Sequence, residues 1–120
     1  MVILEADRVI FRSRAAAIKP VIRFIKSGGR ERGADSLVIY DKYVGRAAAL
    51  LMSLVSPKLV CTPVLSESGE QTLKQFDIPF QADRRVKYLM GIASADMCKW
   101  EKMTLGKTPE EFWAMLTASE

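Results

Sequence analysis

A basic helix start near the middle of the chain carries the residues best suited to bind an anion. Gly45 and Arg46 open a predicted helix, and Lys42 precedes them in a charged turn. A helix N-terminus offers unpaired N–H groups and the positive end of the helix dipole, and the two cations add to that field. The spacing therefore predicts a phosphate site here. The alternative is a tightly packed helix start, with Arg46 in a surface salt bridge to Asp41 or Glu67.

Three more polar residues are candidates for the same site. Asp41 would either orient Arg46 or cap the helix, and capping is the simpler interpretation. Ser66 and Glu67 follow a later apolar run, where they predict a second helix cap, with contact to a ribose hydroxyl as the alternative. The candidate ligand-binding residues are therefore Asp41, Lys42, Gly45, Arg46, Ser66 and Glu67.

Cys98 is a separate candidate centre. It lies in the first turn of a predicted helix with Lys99 and Lys102 nearby, and both the helix dipole and the cations lower a thiol pKa. With Glu101 close by, Cys98 would serve as a nucleophile or as a site of modification, so these two residues are the candidate catalytic pair. The alternative is a half-buried cysteine at a helix start.

The chain contains no histidine and only two cysteines. Without histidine, the commonest metal ligand and the commonest general base are both missing, and a Ser-His-Asp or Cys-His mechanism is excluded. Zinc would need Cys61, Cys98 and carboxylates to converge. We therefore predict no metal and no cofactor. Whether the protein is an enzyme stays open.

Positive charge is concentrated in the first third of the chain. Residues 1–33 hold eight Lys or Arg against three Asp or Glu, and the remainder holds ten against eleven. On a predicted helix that begins near Pro20, Lys19, Arg23, Lys26 and Arg30 recur at helical spacing opposite an apolar face. The stripe is typical either of a solvated helix face or of a surface that binds RNA.

Apolar runs and breakers predict the elements that position these residues. Val2–Leu4 and Val9–Phe11 flank a polar turn, which predicts an N-terminal hairpin. Helices and strands then alternate, which predicts parallel later strands joined by right-handed crossovers. The expected fold is a single α/β domain over residues 1–120, a three-layer α-β-α sandwich with a mixed sheet. Ligands of such sheets gather at the carboxyl ends of the strands.

The remaining elements follow from local signals. Strands are predicted over Lys58–Val64 and Phe80–Asp83, and the pairing of Arg84–Ser94 cannot be read. Ser68 and Gln71 have capping-box spacing at the start of a third helix. Asp96 predicts an N-cap for a helix ending near Gly106, and Thr108-Pro109-Glu110-Glu111 predicts another helix start.

With that order of elements, the chain resembles the zinc-less branch of the cytidine-deaminase-like superfamily, a small bacterial family of unknown function. The resemblance covers nearly the whole sequence, and its most specific part is the block of glycine, arginine and three alanines. Members begin with a further helix that this sequence lacks, and they carry proline where this chain has Lys99. The matching motifs are Gly33–Ser36, Asp41–Leu51, Leu65–Glu67 and Asp96–Lys102.

The resemblance implies a deaminase-like fold without the deaminase metal. True deaminases hold zinc with His/Cys-Ala-Glu at one helix start and Pro-Cys-x-x-Cys at the next. Ile18–Pro20 and Val44–Arg46 occupy those places here and supply neither the ligands nor the acid. The resemblance therefore implies an electropositive hollow suited to a phosphate or a nucleotide, and it implies no deamination.

The leading hypothesis is a cytoplasmic protein that binds a nucleotide-like or other phosphate-bearing small molecule at the carboxyl edge of its sheet. A metal-free enzyme using Cys98 and an RNA-binding or assembly module are the alternatives. No apolar run is long enough to cross a bilayer, and no secretory signal is recognisable, so we expect no membrane partner. The oligomeric state, including a homo-oligomer, stays open.

Overall fold

The computed structural model describes residues 1–15, 18–31, 36–87 and 102–118. Across these ranges the chain forms a mixed α/β fold in which six strands make one sheet. The strands are β1 (Val2–Glu5), β2 (Arg8–Arg12), β3 (Leu37–Tyr40), β4 (Tyr43–Val44), β5 (Leu59–Ser66) and β6 (Phe80–Val86). The helices are α1 (Lys19–Lys26), α2 (Arg46–Val55), α3 (Glu67–Gln75) and α4 (Pro109–Thr117), with a 3₁₀ turn at Gly29–Glu31. None of the described helices is long and apolar enough to cross a membrane.

The predicted N-terminal hairpin is confirmed. β1 and β2 pair antiparallel, with Glu5 opposite Arg8. The two residues between them, Ala6 and Asp7, have φ angles of 49° and 67°. A two-residue turn with two positive φ values matches the twist of the flanking strands, which is why this turn closes a hairpin.

The later strands are parallel, as the crossovers require. β1 pairs antiparallel with β3, and β3 pairs parallel with β5. β6 pairs parallel with the opposite side of β5, so the sheet runs from the edge strand β2 through β1, β3 and β5 to β6. This mixed sheet, with its antiparallel hairpin and parallel later strands, is the one predicted from the alternation of elements.

One strand of the sheet is interrupted. β3 pairs Tyr40 with Cys61, and β4 pairs Tyr43 with Val64, so both segments keep the same offset of 21 residues along β5 (61 − 40 and 64 − 43). β3 and β4 are therefore two segments of a single strand position beside β5, and they are separated by residues 41–42. The break lies opposite Thr62 and Pro63 in β5.

The helices pack on one face of this sheet. α1, α2 and α3 each connect two parallel strands, and the successive strands follow one direction across the sheet. Right-handed connections between such strands place their helices on the same face of the sheet. The rings of Phe11 on β2 and Phe24 on α1 lie 5.3 Å apart. The core between the layers is mainly aliphatic and includes Ile3, Val21, Leu37, Ile39, Leu50, Leu51, Val60 and Leu73.

The last helix confirms a local prediction. Thr108 caps α4, since its Oγ1 accepts the N–H of Glu111 at 3.1 Å. The Glu111 carboxylate in turn accepts the N–H of Thr108 at 3.0 Å, which completes a capping box with Pro109 in the first turn. The fully buried ring of Phe112 joins α4 to the core.

Two sequence-based boundaries are wrong. The N-cap of α3 is Ser66 and not Ser68, because β5 continues to Ser66, whose Oγ accepts the N–H of Gly69 at 3.0 Å. β6 also continues beyond Asp83 to Val86, because its pairing with β5 extends to the last residue of that strand. The predicted helix starting at Asp96 lies outside the described ranges. The three-layer arrangement of the sandwich stays a prediction.

Candidate functional site

The predicted anion site at the start of α2 is a tightly packed helix junction. Gly45 is the N-cap of α2 and is buried. A Cβ placed on Gly69, in the first turn of α3, would lie 2.9 Å from the carbonyl oxygen of Val44 and 3.0 Å from the carbonyl carbon of Gly45. Glycine at position 69 is thus what lets α3 approach the start of α2 so closely.

Arg46 ties this junction to the end of the chain. Its Nε donates to the carbonyl of Thr104 at 3.3 Å, and its Nη1 donates to Oγ1 of Thr72 at 3.3 Å. Its Nη2 donates to the carbonyl of Lys107 at 3.4 Å. All three guanidinium nitrogens therefore have protein acceptors, and the side chain links α2 to α3 and to the turn before α4.

A cavity of about 490 Å³ opens elsewhere, where the interrupted strand breaks. We call it the strand-break pocket. Two of the residues predicted to bind ligand, Asp41 and Lys42, line it, whereas Gly45, Arg46 and Ser66 do not. Its lining consists of Met1, Val2, Tyr40, Asp41, Lys42, Cys61, Thr62, Pro63, Gln81 and Asp83.

The floor of the strand-break pocket is one row of side chains across the sheet. Val2 pairs with Tyr40, Tyr40 with Cys61 and Cys61 with Gln81. Because paired residues point to the same face, these four side chains lie side by side. Ile39 and Val60, the next residues along β3 and β5, are fully buried in the helix-covered core, so the pocket lies on the opposite face.

The break that opens the pocket has a local cause. Pro63 has no N–H, so it cannot donate to the sheet ladder where the chain passes Lys42. The side chain of Thr62 bonds its own strand instead, donating to the carbonyl of Val64 at 3.0 Å and accepting that residue's N–H at 3.3 Å. Pairing resumes at Val64, and Asp41 and Lys42 are left at the mouth of the gap.

Asp41 is the most perturbed group in the pocket. Its N–H donates to the carbonyl of Cys61 at 3.0 Å, and its Oδ1 accepts the N–H of Lys42 at 2.9 Å. Its other oxygen, Oδ2, is buried and has no hydrogen-bond partner among the residues that the structure describes. Burial raises the pKa of Asp41 to about 6, against the smaller opposing effects of the Met1 ammonium and the Lys42 N–H. The predicted roles of Asp41 as cap of α2 or partner of Arg46 are wrong, because the carboxylate turns to Lys42 and the pocket.

The other polar groups of the pocket differ in exposure. Cys61 is half-buried, and burial raises the pKa of its thiol, so the sulfur stays protonated at neutral pH. Lys42 and Asp83 are exposed at the rim, and Gln81 is exposed at the outer end of the floor. The pocket thus presents a buried carboxyl, a neutral thiol and the half-exposed ring of Tyr40 beneath a mixed-charge rim.

The remaining predicted site residues lie elsewhere. Ser66 is fully buried and acts as the cap of α3, as one of its two interpretations predicts, and Glu67 is exposed in the first turn of that helix. The predicted catalytic residues Cys98 and Glu101 lie outside the described ranges. Over the ranges that are described, no three His, Cys, Asp or Glu side chains group as a metal site would need.

Sequence reasoning missed the pocket residues that come from neighbouring strands. Tyr40, Cys61 and Gln81 are far apart in sequence and meet only through the register of three strands. A signal for the break was present in the proline within β5 and in the Asp-Lys pair that interrupts an apolar run. Placing those two features opposite each other required the strand register, which the sequence alone does not supply.

Comparisons with known proteins agree with this fold. Residues 1–118 match a family model described as TM1506, a domain of unknown function (DUF1893). The crystal structure of a DUF1893 family protein (TM1506) from Thermotoga maritima superposes with a TM-score of 0.83 at 24% sequence identity, covering 99% of this chain and 79% of that one. At that identity the likeness shows the fold alone. No curated protein sequence matches the chain significantly.

Proposed function

The chain belongs to the DUF1893 family, whose description names no activity, so we propose a function from the geometry of the strand-break pocket. The pocket binds a small polar molecule that presents a hydrogen-bond donor, such as an amino, amidine or amide N–H, to Oδ2 of Asp41. The observation that carries this proposal is the buried carboxylate oxygen without a partner in the described part of the chain. Buried polar atoms are almost always paired, so an unpaired acceptor in a cavity is a place for a ligand donor.

The size and lining of the pocket support a ligand of drug-like or nucleoside size. Its volume of about 490 Å³ lies within the range of small-molecule sites. Tyr40, with 47% of its surface exposed, offers an aromatic face on which a planar ring can stack. Val2 and Pro63 add apolar walls. An amino-substituted heterocycle meets all three features, since it brings a flat ring and an N–H donor together.

This proposal keeps a nucleotide as the ligand but assigns its phosphate to Lys42 and not to the start of α2. Arg46 already donates to Thr72, Thr104 and Lys107, so the start of α2 is a poor place for the phosphate end. Lys42 is exposed at the rim of the pocket that holds Asp41, and it would meet a phosphate carried by the same ligand. In this arrangement the base faces Asp41 and the phosphate faces Lys42.

The resemblance to the zinc-less deaminase-like proteins belongs to the same proposal. Ligand sites in open α/β sheets lie at the carboxyl ends of the strands, and the pocket follows the end of β3. We place the protein in the cytoplasm on the sequence evidence. The nucleophile hypothesis rests on Cys98 and Glu101, and Cys61 gives it no support, because its raised pKa disfavours the thiolate.

A thermal-shift panel tests the proposal directly. The wild-type protein is heated at about pH 7.5, where Asp41 is ionised, with free nucleobases, nucleosides, nucleotides and simple amines. We expect stabilisation by compounds that carry an exocyclic amino group, and loss of that stabilisation in Asp41→Asn. Asp77→Asn is the matched control, because Asp77 is exposed, lies outside the pocket and has a positive φ that asparagine tolerates.

The phosphate half of the proposal has its own variant. Lys42→Ala should weaken the response to a nucleotide and leave the response to the parent nucleoside unchanged. An equal loss for both would remove the phosphate from the proposal. The pocket assignment itself fails if no compound raises the melting temperature, or if Asp41→Asn responds as the wild type does.

Alkylation of Cys61 gives a second measure of occupancy. In a Cys98→Ser background, the iodoacetamide rate at Cys61 reports on the floor of the pocket, next to Tyr40. A ligand identified in the panel should slow this rate in proportion to its saturation of the site. An unchanged rate at a saturating ligand concentration would place that ligand elsewhere on the molecule.

A further inference from the structure

One segment of the chain combines a high positive charge with a complete lack of acidic residues. Between positions 8 and 30 the sequence has seven Lys or Arg and no Asp or Glu. These basic residues are Arg8, Arg12, Arg14, Lys19, Arg23, Lys26 and Arg30. The segment forms the edge strand β2 and the helix α1, so its charge is collected at one side of the fold.

Helix α1 displays part of this charge on one exposed face. Lys19, Arg23 and Lys26 are exposed, and they lie four and three residues apart, which places them on one side of a helix. The opposite side is buried in the core by Pro20, Val21, Phe24 and Ile25. With a rise of 1.5 Å per residue, the three cations span about 10 Å along the axis, a length that covers several phosphates of a duplex.

Strand β2 extends the charge beside the helix. Arg8 and Arg12 are exposed on β2, and Arg14 is exposed just after it. The contact of Phe11 with Phe24 fixes this strand against α1 on the helix-covered face. Arg8 points to that face, because it pairs with Glu5 in the row of the buried Leu37. Arg12 pairs with Val2 and points to the opposite face, so Arg8 is the β2 cation beside α1. Arginines on an edge strand also discourage pairing with another sheet, but that role does not account for the stripe on α1.

The boundary of the basic surface is set by an ion pair. Arg30 Nη2 lies 2.6 Å from Glu110 Oε1, so this arginine is engaged with α4. We define the β2–α1 surface by its exposed cations Arg8, Arg14, Lys19, Arg23 and Lys26, of which Lys26 also makes a contact within the chain. It is separate from the strand-break pocket, since none of these five residues lines that cavity.

We propose that the β2–α1 surface binds the phosphate backbone of a double-stranded nucleic acid. Several exposed cations, with the carboxylate of Glu5 only at their margin opposite Arg8, are complementary to a closely spaced row of phosphates. An anionic membrane fits less well, because membrane-surface helices insert an apolar face, and the apolar face of α1 is buried in the protein core. Val9 is the one large apolar side chain exposed within the described part of positions 8–30.

The salt dependence of binding tests this inference. Affinity for a duplex of about 20 base pairs, as RNA and as DNA in separate arms, is measured at increasing salt from about 50 mM. In Lys19→Glu/Arg23→Glu, we expect roughly tenfold weaker binding at low salt, and a log–log slope smaller in magnitude by about two, because two phosphate contacts are lost. Equal effects in both arms indicate contact with phosphates alone, and a larger effect with RNA indicates RNA as the partner.

A charge-matched control separates this surface from the net charge of the protein. Lys58→Glu/Arg84→Glu changes the net charge by the same amount at exposed positions, with Arg84 on β6 at the far edge of the sheet. This control should keep most of the affinity and the original slope. The inference is overturned if both double variants lose affinity equally, if the wild type fails to bind either duplex at low salt, or if it binds only anionic vesicles.

Discussion

Asp41 and Arg46 are five positions apart, and the sequence predicted both as parts of one site. In the structure their side chains differ in whether the protein satisfies their hydrogen bonds. The guanidinium of Arg46 has an acceptor for each of its nitrogens, and it joins three segments of the chain. The carboxylate of Asp41 keeps one buried oxygen without a partner in the described ranges, and its pKa is raised to about 6. A charged residue whose bonds are all made within the protein stabilises the fold, whereas one buried without a partner opposes folding and is better explained by a ligand.

The largest effect should come from removing the guanidinium at the start of α2. Arg46→Met keeps the length of the side chain but removes the guanidinium donor from Thr72, Thr104 and Lys107, although the Thr104 carbonyl still accepts the N–H of Lys107. A partly buried hydrogen bond contributes about 1 kcal/mol, so the loss of all three should lower the free energy of unfolding by about 3 kcal/mol. Urea denaturation measures it.

Arg46→Lys is the informative companion to that variant. Lysine keeps the charge but cannot reach three separate acceptors with a planar fork, so it should recover less than half of the lost stability. If instead Arg46→Met were as stable as the wild type and lost the response to phosphorylated ligands, the guanidinium would be a ligand-binding group. The contrast with Asp41 would then be wrong.

A smaller loss should follow from crowding the same junction. Gly69→Ala gains roughly 1 kcal/mol of helix propensity, but its Cβ would lie 2.9 Å from the carbonyl oxygen of Val44. A backbone atom cannot move aside as a side chain can, so we expect a net destabilisation of about 1–2 kcal/mol. Gln71→Ala, at an exposed position in the same helix, should stay within about 0.5 kcal/mol of the wild type.

This variant also separates the two regions. Gly69 does not line the strand-break pocket, so Gly69→Ala should lower the melting temperature without changing the ligand-induced shift. If Gly69→Ala abolished the ligand response while the protein remained folded, the α2 junction and the pocket would be parts of one site, as the sequence first indicated.

The sequence predicted the parts of this molecule that depend on nearby residues. The hairpin and the start of α4 at Thr108 both follow from turn and cap residues a few positions apart. The partners of Arg46 are 26, 58 and 61 positions away in sequence, so no local pattern could identify them. The helix start at Arg46 was correctly predicted. Its interpretation as a phosphate site did not take those three contacts of Arg46 into account.

Two residues of the strand-break pocket were among the predicted ligand-binding residues. Asp41 and Lys42 were selected because they precede the basic helix start at Gly45, and they line the pocket. The residues that complete it come from β1, β5 and β6, and their alignment depends on a register in which a shift of one residue turns every side chain to the other face. Sequence reasoning predicted a site at the carboxyl edge of the sheet but could not say which face of the sheet it would occupy.

The smallest effect should be a gain in stability, at Asp41. Because the folded-state pKa of about 6 lies above the ordinary value of 3.8, the folded protein holds a proton on Asp41 that the unfolded chain has already released. The stabilisation from this proton is complete below pH 3.8 and is lost as the pH rises through about 6.

Asp41→Asn cannot ionise, so its free energy of unfolding should exceed that of the wild type by about 1 kcal/mol at neutral pH. This is less than the full pKa difference implies, because water reaches the open side of the pocket. The gain should shrink to zero near pH 4 in urea denaturation. A gain that is constant across this range would mean that the charge of Asp41 is not the source of the instability, and the case for a donor ligand would lose its physical basis.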